Sequence, residues 1–309
     1  MTVTLTASDR SRLRNAAVIM AREGNHVAVE RSTNEIAILP DGSFVFTHVA
    51  PGVYRIRARA GTASGDAPLL ALYRIVVSTR DLDVALTLRP SASVSGRLNA
   101  DAMNAVKPAT LAGVQIQAPL ADGSGADETA SGEVVRDGSF SIRGVMPGRH
   151  LVTVAGLPHP WVLQRVTYRG QDITDTGLDT DSGQSIDDVR VTITDAATDV
   201  SGTVRDADGR PVPGAVVLII PGAPQFRTAA SRRFGRTSSD ADGRYRYRGL
   251  PPGEYRVVAS MIDPADLDRP ELLQQLNDAG VPLSLEALAT PVMDLRLTPA
   301  ITPQPVSAR

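Results

Sequence analysis

The chain has 309 residues, a formal net charge of −2 and no cysteine. The charge balance disfavours nucleic acid and anionic membrane surfaces as partners, and the lack of cysteine excludes disulfides, thiolate catalysis and cysteine-ligated zinc. A hydrophobic fraction of 42%, with 26 glycines and 22 prolines, is typical of turn-rich all-β domains. Because no run of 18 apolar residues occurs, the sequence predicts no membrane insertion.

Residues 1–90, called module 1 below, predict a β-domain. We expect strands at residues 2–5, 16–21, 26–30, 35–39, 69–78 and 84–88. Alternation along another strand places Arg55, Arg57 and Arg59 on one face, which we interpret as a basic stripe on a solvated surface. The first twelve residues lack the basic and apolar regions of a signal peptide. We therefore expect a cytoplasmic protein or part of a longer exported chain.

One 16-residue pattern occurs three times, as DGSFVFTHVAPGVYRI at 41–56, DGSFSIRGVMPGRHLV at 137–152 and DGRYRYRGLPPGEYRV at 242–257. Each copy predicts a β-hairpin, in which an Asp-Gly turn, a strand, a Pro-Gly turn and a second strand follow one another. The copies are 96 and 105 residues apart, which is the size of one β-sandwich each. His150 occupies the position of Tyr54 and Tyr255, which indicates a structural substitution.

The spacing divides the chain into module 1, module 2 at residues 91–196, module 3 at residues 197–299, and a flexible tail at 300–309. In module 3, residues 263–280 predict the one helix, with Asp268 as N-cap and Gly280 at its end. The predicted fold is all-β, with three tandem immunoglobulin-like or transthyretin-like β-sandwich domains and one short helix in the third.

The segment SGTVRDADGRPVPGAVV at 201–217, followed by SDADGRYRYRGLPPGEYRV at 239–257, resembles the carboxypeptidase regulatory-like domain, a β-sandwich of many bacterial envelope proteins. WVLQRVTYRGQDITDTGLD at 161–179 is similar to large multi-module versions of this family. The resemblance implies a non-catalytic, usually exported binding or accessory module without a cofactor. It assigns no catalytic residue, since the zinc site of carboxypeptidases lies in a separate domain whose His-x-x-Glu pair this sequence lacks.

Acidic residues are concentrated at 172–188 in module 2. Asp172, Asp175, Asp179 and Asp181 are the candidate calcium ligands, because Ca²⁺ takes carboxylate oxygens. Calcium ligands must converge on one point, and a solvated acidic loop need not do so. The sequence is therefore compatible with a calcium site and with a solvated acidic loop.

Two further groups of residues are candidates for ligand binding. Trp161, the only tryptophan, follows His159 and could stack on a sugar ring, although a tryptophan at the start of a strand also suits core packing. Arg232, Arg233 and Arg236 could receive an acidic partner such as an anionic polysaccharide or a loop of a neighbouring protein, or could form a solubilising loop.

Together with what the resemblance implies, these observations predict a non-enzymatic protein that binds or spaces other envelope or extracellular proteins at the cell surface or in the periplasm. The alternative is a carbohydrate-binding module that uses Trp161 and takes a polysaccharide as its partner. No Gly-x-Ser-x-Gly motif and no phosphate-binding glycine loop is present.

Overall fold

The computed structural model describes residues 2–6, 16–22, 43–61, 67–104, 108, 110–123, 129–228, 230–263, 266–267 and 269–299. The strands predicted at 26–30 and 35–39, the Asp-Gly turn at 41–42, the predicted N-cap Asp268 and the tail at 300–309 lie outside the described residues. The described part is mainly β-structure, which confirms the predicted all-β class.

Module 1 contains two sheets. Its strands are β1 (Thr2–Thr6), β2 (Ala16–Arg22), β3 (Ser43–Val45), β4 (Gly52–Ala60), β5 (Leu69–Val77), β6 (Asp83–Thr87) and β7 (Arg89–Pro90). One sheet has the order β3-β1-β6, with β1 and β6 parallel, and the other has the order β2-β4-β5-β7. Alternating residues of β4 are buried, so that the opposite residues, Arg55 and Arg57 among them, lie on its outer face.

Module 2 repeats this arrangement with more strands. They are β8 (Ala92–Asp101), β9 (Gln115–Ala118), β10 (Ala130–Glu133), β11 (Ser139–Val145), β12 (Gly148–His150), β13 (Thr153–Ala155), β14 (Val162–Tyr168), β15 (Gln171–Asp172), β16 (Leu178–Thr180) and β17 (Ser185–Thr194). The sheets have the orders β11-β8-β17-β14-β15, β10-β9-β13 and β12-β16, and β8 and β17 are parallel.

Module 3 adds the helix. It contains β18 (Asp199–Arg205), β19 (Val216–Pro221), β20 (Gly235–Ser238), β21 (Arg244–Arg248), β22 (Gly253–Ser260), α1 (Pro270–Ala279), β23 (Val281–Leu285) and β24 (Leu295–Thr298), with a short 3-10 helix at Pro224–Phe226. The strand order is β20-β19-β22-β24-β18-β21, and β23 pairs with β22. The structure confirms a helix within the predicted segment, although it is shorter than residues 263–280: Arg269 occupies its N-cap position and Gly280 its C-cap position.

The three repeats do not form hairpins. β11 pairs with β8, whereas β12, beyond the Pro-Gly turn, pairs with β16. In module 3, β21 likewise pairs with β18, while β22 pairs with β19 and β23. Each Pro-Gly turn therefore joins two strands that pair with different neighbours. The hairpin prediction is wrong because turn residues and alternation identify strands and turns but not the partner of each strand.

A side chain that contacts the carbonyl four residues earlier closes each of these turns. Tyr54 Oη donates to the carbonyl of residue 50 at 2.8 Å, and Tyr255 Oη to that of residue 251 at 2.6 Å. His150 Nε2 lies 2.9 Å from the carbonyl of Met146, and its Nδ1 lies 2.8 Å from that of Ala118. This is the tyrosine corner of β-sandwiches, and His150 replaces the tyrosine in module 2.

In modules 2 and 3, the first strand has a glycine at the point where it passes close to a backbone carbonyl of a neighbouring segment. A Cβ atom on Gly96 would lie 1.8 Å from the carbonyl oxygen of Val189, and one on Gly202 would lie 1.9 Å from that of Met293. Neither position can accept a side chain without a backbone shift.

The buried apolar residues form separate clusters. One lies within residues 44–88, a second within 92–193, and two adjoining clusters, one of which includes Leu272 and Leu276 of α1, lie within 200–295. The strands on either side of the boundaries are separated by one residue between β7 and β8 and by four residues between β17 and β18. Connections this short bring neighbouring clusters close together.

Candidate functional site: the junction of the three modules

An aspartate of module 2 holds two arginines of module 3. Asp175 Oδ1 accepts a hydrogen bond from Arg232 Nε at 2.8 Å, and Oδ2 accepts one from Arg233 Nε at 3.0 Å. The side chains of Asp175, Arg232 and Arg233 are only 18%, 23% and 22% exposed. Burial alone would raise the pKa of the Asp175 carboxyl, but the hydrogen bonds and charges of Arg232 and then Arg233 outweigh it and lower that pKa. We call this group the Asp175 clamp.

Backbone contacts fix the same arginines. Arg232 Nη1 donates to the carbonyl of Gln164 at 3.1 Å, and Arg233 Nη1 donates to that of Pro252 at 3.1 Å. The guanidinium carbon of Arg233 also lies 5.0 Å from the ring centroid of Phe226. The loop of module 3 that carries Arg232 and Arg233 is thus held by contacts with module 2 and with its own module.

A second set of contacts lies at the peptide connection between modules 2 and 3. The Asp199 carboxylate is 11% exposed, accepts hydrogen bonds from Arg246 and lies 3.7 Å from Arg248. The hydrogen bond from Arg246 lowers the pKa of the Asp199 carboxyl, against the effect of burial. Arg248 Nη2 also donates to the carbonyl of Asp195. Both ends of the connection are therefore held by charged hydrogen bonds.

Backbone hydrogen bonds join modules 1 and 2. The amide of Ser91 donates to the carbonyl of Pro68, and the amide of Gly183 donates to that of Pro90, both at 2.9 Å. Arg55 on the outer face of β4 forms an ion pair with Asp122 of module 2 at 3.3 Å.

A cleft of about 830 Å³ lies where the three modules meet. Its lining combines arginines, aspartates and apolar side chains from all three modules; they include Arg55, Leu72, Arg74, Leu120, Asp122, Arg149, Leu151, Asp175, Phe226, Thr228 and Ser231. The volume is within the range of 300–1,000 Å³ that is typical of ligand sites. We call this feature the junction cleft.

Trp161 lies away from solvent. It is 6% exposed and belongs to the buried cluster of module 2. The neighbouring His159 is exposed and precedes a cis-proline, Pro160. Because sugar stacking needs an open aromatic face, this position gives Trp161 a packing role and does not favour the carbohydrate alternative.

The predicted calcium ligands face separate partners. Asp172 accepts hydrogen bonds from Thr174, which lower the pKa of its carboxyl, and Asp175 belongs to the clamp. Asp179 is bound by Arg149 Nε at 3.0 Å, and Asp181 lies exposed in a turn with Gln184. Among the residues that the structure describes, no three histidine or acidic side chains are grouped so that they could hold a metal ion.

The sequence identified part of this site and assigned it a different role. Arg232, Arg233 and Asp175 were candidate ligand and metal residues, and the structure brings them together. Arg236 lies exposed on β20, outside the clamp. The contributions of Asp122 and Phe226 were not predicted, since nothing in their local sequence indicates that they line a cleft shared with other modules.

The fold and this site define a multi-sheet β-protein whose segments are held together by charged contacts. Residues 199–275 match the model of the carboxypeptidase regulatory-like domain family, which confirms the resemblance seen in the sequence of module 3. No curated protein matches the chain.

The solved structures that match the chain include two pilins and the TIE protein of Bacillus anthracis. A streptococcal ancillary pilin is 12% identical, with a TM-score of 0.22, and the match covers 96% of this chain and 99% of that one. GBS52, a minor pilin of Streptococcus agalactiae, is 12% identical with a TM-score of 0.27, over 71% of this chain and 100% of that one. The Bacillus anthracis TIE protein is 11% identical with a TM-score of 0.24; 96% of this chain matches 49% of it, so this chain spans about half its length. These low TM-scores support no functional conclusion.

The helices of the described residues include none that is long and apolar enough to cross a membrane.

Proposed function

We propose that the chain is a non-catalytic, exported unit of the cell envelope, in which three β-sandwich modules at residues 1–90, 91–196 and 197–299 space and bind other envelope or extracellular proteins. The Asp175 clamp is the observation that carries this proposal. A spacer must keep its modules in a fixed relation, and a buried, charge-paired contact between modules 2 and 3 serves that purpose.

The separate buried clusters support the division into modules. Each cluster lies within one of the three proposed ranges, as expected of domains with their own cores. The one-residue and four-residue connections limit rotation between them. Bending would then require the clamp or the backbone contacts at Ser91 and Gly183 to break.

Inter-module distances test the spacer proposal directly. The chain has no cysteine, so Ser141→Cys in module 2 and Gln275→Cys in module 3, both exposed, allow one dye pair for single-molecule energy transfer. We expect one narrow distance distribution. Arg232→Glu with Arg233→Glu should broaden it, whereas Arg236→Glu, an exposed arginine outside the clamp, should not. A broad distribution in the unmutated protein would refute a fixed spacer.

Export is a separate part of the proposal. Fractionation of the native host should place the protein in the periplasm, at the cell surface or in the medium. Recovery from the cytoplasm alone would remove the envelope role and leave the fixed arrangement of the modules untouched.

A further inference from the structure

We propose that β5 of module 1 receives an extended segment of a partner protein as an added strand, along the edge that β7 leaves uncovered. The inference rests on the proposed binding function and names the kind of partner and its site. On one side, β4 pairs with all nine residues of β5. On the other side, β7 pairs with Leu69 and Leu70 only. Among the described strands, none therefore lies along the second edge of residues 71–77.

The direction of the backbone groups shows which residues would bind the added strand. The amide of Ser91 donates to the carbonyl of Pro68 on this edge, and every second residue of a strand directs its backbone groups to the same side. The amides and carbonyls of Leu72 and Val76 consequently point away from β4. Within the described part of the chain, neither residue has a backbone hydrogen bond on that side. An added antiparallel strand would pair with both.

The edge is accessible, and apolar side chains flank it on both faces of the sheet. Val76 is 62% exposed, and Leu72 lines the junction cleft, where outward side chains of the added strand would lie. On the inward face, Tyr73 of β5 and Val84 of β6 are only partly buried and pack at the margin of the module 1 cluster. Since β6 is the last strand of its own sheet, inward apolar side chains of the added strand would extend this core.

Module 3 protects the corresponding edge, whereas module 1 does not. The corner tyrosine is opposite Ile75 of β5 in module 1 and opposite Leu283 of β23 in module 3, so the two strands correspond. β23 has five residues, and Pro282 among them has no amide. Short edge strands and prolines prevent pairing with other chains. β5 has nine residues, LLALYRIVV, without proline or glycine, so its edge retains the capacity to pair.

A segment of a partner fits this edge better than β5 of a second copy does. Full antiparallel pairing of two copies over residues 71–77 would place Arg74, the middle residue, opposite itself. Like charges at directly opposite positions destabilise a sheet. A second copy would also bring its own modules 2 and 3 toward the junction cleft, which these modules of the first copy already line. An extended segment with apolar side chains at the inward positions meets neither obstacle.

Fluorescence anisotropy tests the proposal with a labelled peptide in which valine alternates with threonine over the length of residues 71–77. With valine facing inward, threonine lies opposite Leu72 and Val76 and donates its amides to β5, because paired residues share a face. N-methylation of the threonine amides should therefore weaken binding at least about tenfold, whereas N-methylation of the valine amides should leave it unchanged. Added NaCl should have little effect, since the contact is made by the backbone.

A proline substitution removes the same kind of hydrogen bond from the protein. Val76→Pro deletes an amide that points away from β4, so the pairing of β4 and β5 is kept, and peptide binding should weaken at least about tenfold. Ser284→Pro makes the same change at an exposed position of β23 and is the matched control, which should bind like the unmutated protein. Hydrogen exchange should show added protection by the peptide at residues 71–77 and none at 281–285.

Three results would overturn the inference: no saturable binding of the unmodified peptide, equal binding of the two methylated peptides, or unchanged binding by Val76→Pro. If circular dichroism shows that Val76→Pro does not fold, the methylated peptides and hydrogen exchange decide, since neither alters the protein. A dimer in ultracentrifugation, with residues 71–77 protected in the absence of peptide, would reassign the edge to a second copy. The distance measurement on ligand-free protein is independent, so the spacer role can stand if peptide binding fails.

Discussion

Replacing Asp175 with asparagine isolates the energy of the contact between modules 2 and 3. The amide has nearly the shape of the carboxylate but no charge, so Arg232 and Arg233 would remain about four-fifths buried beside a neutral group. Removing one partner of a fully buried pair costs about 3–5 kcal/mol. Since these side chains keep some contact with water, we expect a loss of about 2–3 kcal/mol for Asp175→Asn.

The only tryptophan makes the measurement specific. Trp161 lies in the buried cluster of module 2, so urea unfolding followed by its fluorescence reports the module that contains Asp175. A double-mutant cycle with Asp175→Asn and Arg232→Gln should give a coupling energy of about 1–2 kcal/mol. Asp179→Asn removes the exposed partner of Arg149 and serves as the control that leaves the midpoint unchanged.

A coupling energy below about 0.5 kcal/mol would refute the reasoning, because that is the range in which independent sites are additive. Such a result would mean that the clamp is a contact without energetic consequence. The modules would then be held by their connections and backbone hydrogen bonds alone.

Three further predictions follow from single contacts. The pKa of the Asp175 carboxyl is lowered in the folded protein, so the clamp should stabilise the interface fully above the unfolded pKa of about 3.9. This stabilisation should be lost as pH falls from that value through the lower pKa of the folded protein. Energy-transfer distributions at pH 3 and pH 6 check this prediction. His150→Phe leaves the Met146 carbonyl without its ring partner, so it should unfold at lower urea than His150→Tyr, by about 1 kcal/mol; equal midpoints would contradict the corner role. Gly202→Ala places Cβ against the Met293 carbonyl and should destabilise module 3 by about 2 kcal/mol or more, as measured by thermal unfolding followed by circular dichroism; an unchanged midpoint would show that β18 can shift freely.

The fold class could be predicted because its signals are local. Alternating apolar residues and Asp-Gly and Pro-Gly turns occur within short stretches, and they identified the strands of each repeat. The pairing of those strands was predicted wrongly, as β11 and β12 illustrate. Which strand lies beside β12 depends on residues about 30 positions away, and alternation is the same whether a strand turns back on its predecessor or crosses to another partner.

The candidate site was predictable only as a set of unusual residues. Asp175 and Arg232 are separated by 57 positions and lie in different modules, so no local pattern links them. From its sequence neighbourhood, Asp175 was a candidate metal ligand and Arg232 was a candidate for binding an acidic partner. These are the roles expected of charged residues whose partners in the fold are not known. Trp161 was ambiguous for a similar reason, since the start of a strand can face the core or solvent.

Strand alternation explains where differences between the modules can accumulate. Positions of the repeat that face inward keep similar residues, such as Phe44, Phe140 and Tyr245, because each fills a buried core. Positions that face outward are free of this constraint. The corner residue is flanked by valine and Arg55 in module 1, by Arg149 and the buried Leu151 in module 2, and by Glu254 and arginine in module 3.

These outward positions reach different surroundings. Arg55 pairs with Asp122 and Arg149 with Asp179, and both arginines line the junction cleft. Glu254 instead accepts a hydrogen bond from Ser284 within module 3. One repeated strand can therefore provide a constant core residue and a variable surface residue side by side. The chemistry of the cleft could consequently differ between related chains, through substitution at two outward positions, without a change in the cores that keep the modules folded.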